Sequence, residues 1–179
     1  SGDDDVYDGG AGVDTLVHDL NWVSTVAFNL ATGWSSFGGN RDRLISIENL
    51  TVGGSASVTG SAGANVLTVN GTGANVINGL GGNDTINAGG GADTIDGGAG
   101  NDRIDTGAGE DTANGGDGND TFVDTIAMFD TEDDVYNGGA GTDTLVHDLN
   151  WVSTVAFNLT AGFAFLNSVS RDRLISIEN

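Results

Sequence analysis

Residues 79–123 read GLGGNDTIN, AGGGADTID, GGAGNDRID, TGAGEDTAN and GGDGNDTFV, which are five consecutive phrases of nine residues. The sixth residue of every phrase is an aspartate: Asp84, Asp93, Asp102, Asp111 and Asp120. The eighth residue is apolar: Ile86, Ile95, Ile104, Ala113 and Phe122. The glycine-rich first half predicts a tight turn, because glycine adopts backbone angles that side chains forbid. The second half predicts a short strand with one inward apolar residue.

The nine-residue period predicts two columns of carboxylates. If two phrases form one coil, turns on the same side lie one strand spacing apart, roughly 4.8 Å. Asp84, Asp102 and Asp120 then form one column, and Asp93 and Asp111 form the other. Carboxylates at this spacing repel each other unless a cation lies between them. A hard cation that takes about six to eight oxygens from carboxylates and turn carbonyls meets this requirement.

The composition narrows the classes of protein. The 179 residues suffice for one domain and carry 26 acidic groups against five arginines and no lysine, for a net charge of −21. This charge excludes nucleic acid as a partner and leaves a disordered acidic chain or a fold that needs cations. The periodicity favours the second. Cysteine and proline are absent, so no disulfide framework is predicted, and no apolar run approaches a membrane span.

The nine-residue phrase recurs outside the block. GGAGVDTLV at 9–17 contributes Asp14, and GGAGTDTLV at 138–146 contributes Asp143. Upstream of residue 79 the nine-residue repeat is less regular, and Asn75 and Asn65 occupy the aspartate position. An amide oxygen still ligates a cation but carries no charge, so weaker sites are predicted there.

A second, longer period of about 130 residues is also present. DTLVHDLNWVSTVAFNL occurs at 14–30 and 143–159, and RDRLISIEN occurs at 41–49 and 171–179. We predict a single continuous β-solenoid over 1–179, with the nonapeptide block at 79–123 and two copies of a shorter unit at 5–49 and 134–179.

The segments between the nonapeptides have their own predictions. VSTVAFNL, RLISIENLTV and SASVTG are typical of short strands, so longer coils are expected to continue the solenoid through them. The stretch ATGWSSFGGN at 31–40 differs between the two copies, which predicts a surface loop.

At the nonapeptides the sequence resembles the RTX family, the repeats-in-toxin pattern GGxGxDxUx. The resemblance implies an all-β, right-handed parallel β-roll with several Ca²⁺ ions held by the sixth-position aspartates and by turn carbonyls. It also implies a bacterial protein that a type I system exports and that folds outside the cell. The implied metal-site residues are Asp14, Asp84, Asp93, Asp102, Asp111, Asp120 and Asp143, with Asn75, Gly79, Gly81, Asn83, Ala88, Gly90, Ala92, Gly97, Ala99, Gly100 and Asn101. Three residues depart from the pattern, since Ala113 thins the core and Thr106 and Ala88 replace the first glycine.

Other residues allow two interpretations each. His18 and His147 could bind zinc with Asp19 or Asp148, but one histidine per copy favours packing or a surface role. Trp22 and Trp151 could stack on sugars, although closing a widened coil is favoured.

The variable and charged segments are similarly open. Trp34 and Phe37, matched by Phe163, Phe165 and Leu166, cover the core or meet a partner. Arg41 and Arg43, with Arg171 and Arg173, are predicted to pair with nearby carboxylates. The run DTEDD at 130–134 is a solvated face or a further cation site.

No catalytic motif is present, so an enzyme is not predicted. Two functions remain. The chain is a piece of a long extracellular repeat protein, such as an adhesin stalk, surface layer or filament, or it is the secretion and folding module of an exported enzyme or toxin. The near-identical long repeat favours the first. Asn179 takes the place of Asn49, after which the first copy continues, so neighbouring units and end-to-end association are the expected protein partners.

Overall fold

The computed structural model describes residues 4–19, 26–37, 39–124, 133–147, 155–158, 163–166 and 170–177. This part of the chain forms nineteen β-strands. No helix long and apolar enough to cross a membrane occurs in it. The strands are β1 (Val6–Asp8), β2 (Thr15–His18), β3 (Val26–Asn29), β4 (Trp34–Phe37), β5 (Asn40–Ile45), β6 (Asn49–Val52), β7 (Ala56–Thr59), β8 (Val66–Val69), β9 (Val76–Asn78), β10 (Thr85–Asn87), β11 (Thr94–Ala99), β12 (Arg103–Asp105), β13 (Thr112–Asp117), β14 (Thr121–Asp124), β15 (Val135–Ala140), β16 (Thr144–His147), β17 (Val155–Asn158), β18 (Phe163–Leu166) and β19 (Ser170–Ile175).

Two sheets form the walls of the fold. Sheet A has twelve strands in the order β1-β5-β4-β3-β7-β9-β11-β13-β15-β19-β18-β17. Sheet B has seven in the order β16-β14-β12-β10-β8-β6-β2. Through the nonapeptide block the chain alternates between the sheets, and each strand pairs in parallel with the next strand but one along the chain. This arrangement is the predicted parallel β-roll.

The register fixes the length of one coil. Thr85 pairs with Arg103, and Thr94 pairs with Thr112, so each coil of the block takes 18 residues, or two phrases. The turns close tightly because glycine stands where coils approach: Gly98 has a φ of 105°, and a Cβ there would meet the carbonyl of Leu80 one coil away.

The core consists of inward apolar side chains from both sheets. Ile86, Ile95 and Ile104 are each at most 2 % exposed. Ala113 does not thin this core, contrary to the prediction. It pairs with Tyr136 in the next coil, and the fully buried Tyr136 ring packs edge-on against Phe122 with centroids 5.5 Å apart. A large side chain in one coil therefore compensates for a small one in its neighbour.

The prediction of longer coils through 23–52 is wrong in one respect. β3, β4 and β5 pair with each other in antiparallel fashion and form a meander within sheet A. The variable stretch is not a surface loop but contains β4, whose Ser35 is 3 % exposed. The SASVTG segment does form a parallel strand, β7, between β3 and β9.

The meander belongs to one sheet only. Between β5 and β7, sheet A contains β4 and β3, whereas the strands that follow β5 and β7 in the chain, β6 and β8, pair directly in sheet B. The second copy repeats the pattern, because β17, β18 and β19 are also antiparallel neighbours. The meander is thus a fixed feature of the long repeat.

Candidate metal centre

The sixth-position residues of alternate phrases stack in a line, named here column A. The amide of Asp84 donates to Asp102 Oδ1 at 2.8 Å, and the amide of Asp102 donates to Asp120 Oδ1 at 2.8 Å. The same bond joins Asn65 to Asp84 and Asp120 to Asp143. One oxygen of each carboxylate thus ties its coil to the preceding coil.

Column B is the equivalent line on the opposite edge. The amide of Asn75 donates to Asp93 Oδ1 at 2.7 Å, and that of Asp93 donates to Asp111 Oδ1 at 2.8 Å. The amide of Asp111 donates to Asp134 Oδ1 at 2.8 Å. The column therefore continues beyond the nonapeptide block into the acidic run, where Asp134 is buried and Asp133 is exposed.

The second carboxylate oxygens have a different environment. Within the described part of the chain, buried Oδ2 atoms without a hydrogen-bond partner occur on Asp14, Asp84, Asp93, Asp102 and Asp120. Burying a charged oxygen without a partner is costly, so such groups are paired or coordinate a metal. Because the orphaned atoms repeat at one position of the phrase, they indicate a repeated ligand.

The Oδ2 atoms of Asp84, Asp102 and Asp120 in column A each face a small space at the first glycine of their own turn. A Cβ built on Gly97 would lie 2.5 Å from Asp102 Oδ2 and 2.7 Å from the carbonyl oxygen of Gly115 in the next coil. Gly79 and Gly115 face the same pair of groups in their own coils. A carboxylate oxygen and a backbone carbonyl therefore converge on a space that only glycine leaves open.

The donor set suits a hard cation. Among the described residues, no point gathers three acidic or histidine side chains, so a bound ion must draw largely on backbone carbonyls. Oxygen-only ligation by carboxylates and carbonyls, with about six to eight ligands, is typical of Ca²⁺. The residues present fit that ion.

The structure places the predicted turn residues in several different settings. The carbonyls of Gly97 and Gly79 face column A. In column B, the carbonyl of Ala88 accepts a hydrogen bond from the side-chain amide of Asn75. Gly81 pairs with Ala99 and Gly90 with Ala108 across neighbouring turns. Asn83 and Asn101 form an outer ladder in which the Asn101 amide donates to Asn83 Oδ1 at 2.9 Å. Gly100 stacks closely on Gly82, and Ala92 is exposed. Their individual roles as ligands stay predictions.

Two positions of the SIEN segment, its serine and its glutamate, join the site and were not predicted. The carbonyl of Ser46 faces Gly9 of the turn that leads to Asp14, and the carbonyl of Ser176 faces Gly138 in the second copy. Both serines have positive φ, 49° and 51°. Glu48 Oε2 accepts the Asp14 amide at 2.9 Å, which is the bond that an aspartate makes elsewhere in column A. The only sequence signal is that SIEN recurs in both copies.

The arginines of the meander stack on an aromatic ring where we predicted ion pairs. The guanidinium carbons of Arg41 and Arg43 lie 4.7 and 5.7 Å from the Trp34 ring centroid. Asp42 between them is buried and accepts the Ser35 hydroxyl at 3.1 Å and the Asp5 amide at 3.0 Å. Arg173 is exposed. The structure does not describe the side chains of Arg171, Phe163, Phe165 and Leu166.

His18 takes part in packing. Its ring lies 5.6 Å from Phe28 and 6.4 Å from Phe37, and Phe37 packs against the core. Trp22, Trp151, Asp148 and the His147 side chain lie outside the described residues.

Substitution of Gly97 by alanine is expected to remove one bound cation per chain, because the new Cβ fills the space between Asp102 Oδ2 and the Gly115 carbonyl. Gly81→Ala is the matched control. Neither glycine has a positive φ, and the nearest atom to a Cβ on Gly81 lies at 3.6 Å, which is ordinary contact. Isothermal titration calorimetry of both variants with Ca²⁺ checks the counts. Equal losses in the two variants would contradict this geometry.

Protons are expected to compete with the cation. Burial raises the pKa of Asp84 from 3.8 to about 7, with a further contribution from the Asp102 charge, against the opposing hydrogen bond from Asn65. Burial also raises the pKa of Asp93 and Asp120 to about 6. These folded-state values exceed the ordinary value of 3.8, so the metal-free fold is stabilised by protonation as the pH falls from about 7 toward 4.

Because the cation needs the ionised carboxylates, its apparent affinity should fall over the same window. Between pH 7.5 and pH 5.5 the midpoint of a calcium titration should rise on the order of tenfold. Circular dichroism at the two pH values measures it. An unchanged midpoint would show that these carboxylates do not bind the ion.

A comparison with protein families agrees with this geometry. The family model of the RTX calcium-binding nonapeptide repeat matches four segments, residues 1–16, 69–104, 96–123 and 131–145. The matched segments contain Asp14, Asp143 and the five aspartates of the block. No curated protein matches the chain in sequence.

Proposed function

Because this chain carries RTX repeats, which bind Ca²⁺ between their turns, we propose that it is a calcium-stiffened structural segment of a large secreted or cell-surface bacterial protein. The observation that supports this proposal most is the continuity of both sheets across the long repeat. β13 and β14 of the nonapeptide block pair directly with β15 and β16 of the second copy. On the other side, β6 and β7 pair with β2 and β3 of the first copy.

Such continuity gives a rod rather than separate domains. In a solenoid each coil contacts only its neighbours, so units joined by shared sheets move as one body. Carboxylate oxygens and carbonyls from successive coils converge at the first-position glycines. A cation bound there links adjacent coils and resists their separation. An adhesin stalk, surface layer or filament needs this stiffness.

Export is part of the proposal. The RTX repeats support a type I secreted protein, and the buried carboxylate columns explain why folding would wait until then. Extracellular calcium modules have dissociation constants of about 10⁻⁴ to 10⁻³ M, which cytosolic calcium does not reach. The chain would thus pass through the exporter unfolded and fold outside the cell.

The test is the shape of arrays with one, two and three long-repeat units in millimolar Ca²⁺. At roughly 4.8 Å per coil, one unit adds about 30 Å of contour length. Small-angle scattering should give a constant cross-section while the maximum dimension increases with each unit. Units that tumble independently, like beads on a string, would refute the rod and favour a secretion module appended to another domain.

A further inference from the structure

Asp134 differs from the other members of the two columns in the environment of its second oxygen. Its Oδ1 accepts the Asp111 amide at 2.8 Å, as in every other step of the column. Its Oδ2 accepts the hydroxyl of Tyr136 at 2.9 Å. The Oδ2 atoms of Asp84, Asp93 and Asp102 receive no hydrogen bond from the described residues. A protein hydroxyl thus binds Asp134 at the atom that faces the cation space elsewhere.

The core positions this hydroxyl. Tyr136 occupies the inward apolar position of its phrase and is fully buried. Its partner in the preceding coil is Ala113, and the small side chain leaves room for the phenol ring. The hydroxyl also lies 3.2 Å from Thr106 Oγ1, in the turn of the preceding coil that leads to Ala113. The ring contact with Phe122 holds the other side of the phenol.

The turns beside Tyr136 also differ from those of column A. The first position of the two successive turns is Thr106 and then Asp124, which are 0 % and 2 % exposed. In column A that position is glycine, and a Cβ there would collide with the aspartate of the same turn. In column B, side chains therefore fill the first position of the turn, where glycine leaves a space in column A.

We propose that Tyr136 takes the place of a cation in column B: its hydroxyl binds Asp134 Oδ2, as Ca²⁺ binds the Oδ2 atoms of column A. The junction between the Asp111 and Asp134 coils is then a clamp that holds without metal. This inference rests on calcium binding by column A, which is the basis of the proposed function. It makes the two columns unequal in the number of ions they bind.

The test compares two matched variants, Asp134→Asn and Asp102→Asn. Both aspartates are buried, both accept the amide of the residue one coil before, and asparagine keeps an oxygen for that bond. Calorimetry with Ca²⁺ should give the wild-type number of ions for Asp134→Asn and at least one fewer for Asp102→Asn. A loss of an ion in Asp134→Asn would overturn the proposal, while calcium binding elsewhere, and with it the proposed function, would stand.

The reciprocal variant is Tyr136→Phe, which removes the hydroxyl and keeps the ring. The hydroxyl bond to Asp134 Oδ2 is then lost, so one additional ion per chain is expected at this carboxylate. Tyr7→Phe is the control and should bind the wild-type number of ions. Tyr7 occupies the matching position of the first copy, but it is only half-buried, and Asp5, which matches Asp134, is exposed. An unchanged count in a Tyr136→Phe protein with the wild-type circular dichroism spectrum would also overturn the proposal. If that variant does not fold, the asparagine pair still decides.

Discussion

Removal of Ca²⁺ with EDTA should abolish most of the β-sheet circular dichroism of this chain, and millimolar Ca²⁺ should restore it. The core supplies one inward apolar side chain per phrase in the nonapeptide block, such as Ile86 and Ile95. So thin a core does not offset the entropy of ordering the chain. The two carboxylate columns add repulsion unless the cation binds. Folding should therefore be coupled to calcium.

Magnesium at the same concentration is the control for general charge screening. Mg²⁺ retains its water ligands and requires a compact octahedral shell, so carbonyl-lined sites of this kind favour Ca²⁺. We expect much less recovery of the β signal with Mg²⁺. A complete β spectrum in excess EDTA would contradict the coupling of folding to calcium.

Substitution of Asp102 by alanine should remove more than one ion. Asp102 stands in the middle of column A, where it accepts the Asp84 amide and donates its own amide to Asp120. Its loss affects the space at Gly97 and the alignment of the coils on either side. The calcium stoichiometry from calorimetry measures the effect.

Asp117→Ala is the control for loss of an acidic residue in the same region. Asp117 is exposed and occupies the third position of its turn, outside both columns. This variant should bind the wild-type number of ions. If Asp102→Ala also kept that number, the shared clamp in column A would be wrong.

The regular part of the fold and site followed from the sequence because its rules are local. The glycines, the aspartate and the apolar residue recur every nine residues, and this spacing alone places Asp84 under Asp102 and Asp93 under Asp111. The phrase also locates the turns at Asp14 and Asp143, because it recurs there unchanged in its first four residues.

The remaining features depend on contacts that no local pattern shows. The meander was missed because alternation predicts a strand but not whether its neighbour runs parallel, and the varied stretch around Trp34 resembled a loop. The prediction that Ala113 thins the core was wrong because its compensating partner, Tyr136, lies beyond an insertion that interrupts the nine-residue period. Glu48 and Asp134 were not assigned to the columns because neither follows a GGxGx turn.

The unequal strand number of the two sheets also has a mechanical consequence. At each meander, sheet A gains two strands, or roughly 10 Å, that sheet B lacks, while the two sheets stack only about 10 Å apart. Because sheet A is longer than sheet B at this point, the axis of the solenoid is expected to bend toward sheet B. Because the two extra strands recur once per long repeat and always in sheet A, the successive bends of the axis add in a regular way. An array of these units is therefore expected to be a stiff rod with a regularly curved axis, so that its end-to-end distance is shorter than its contour length.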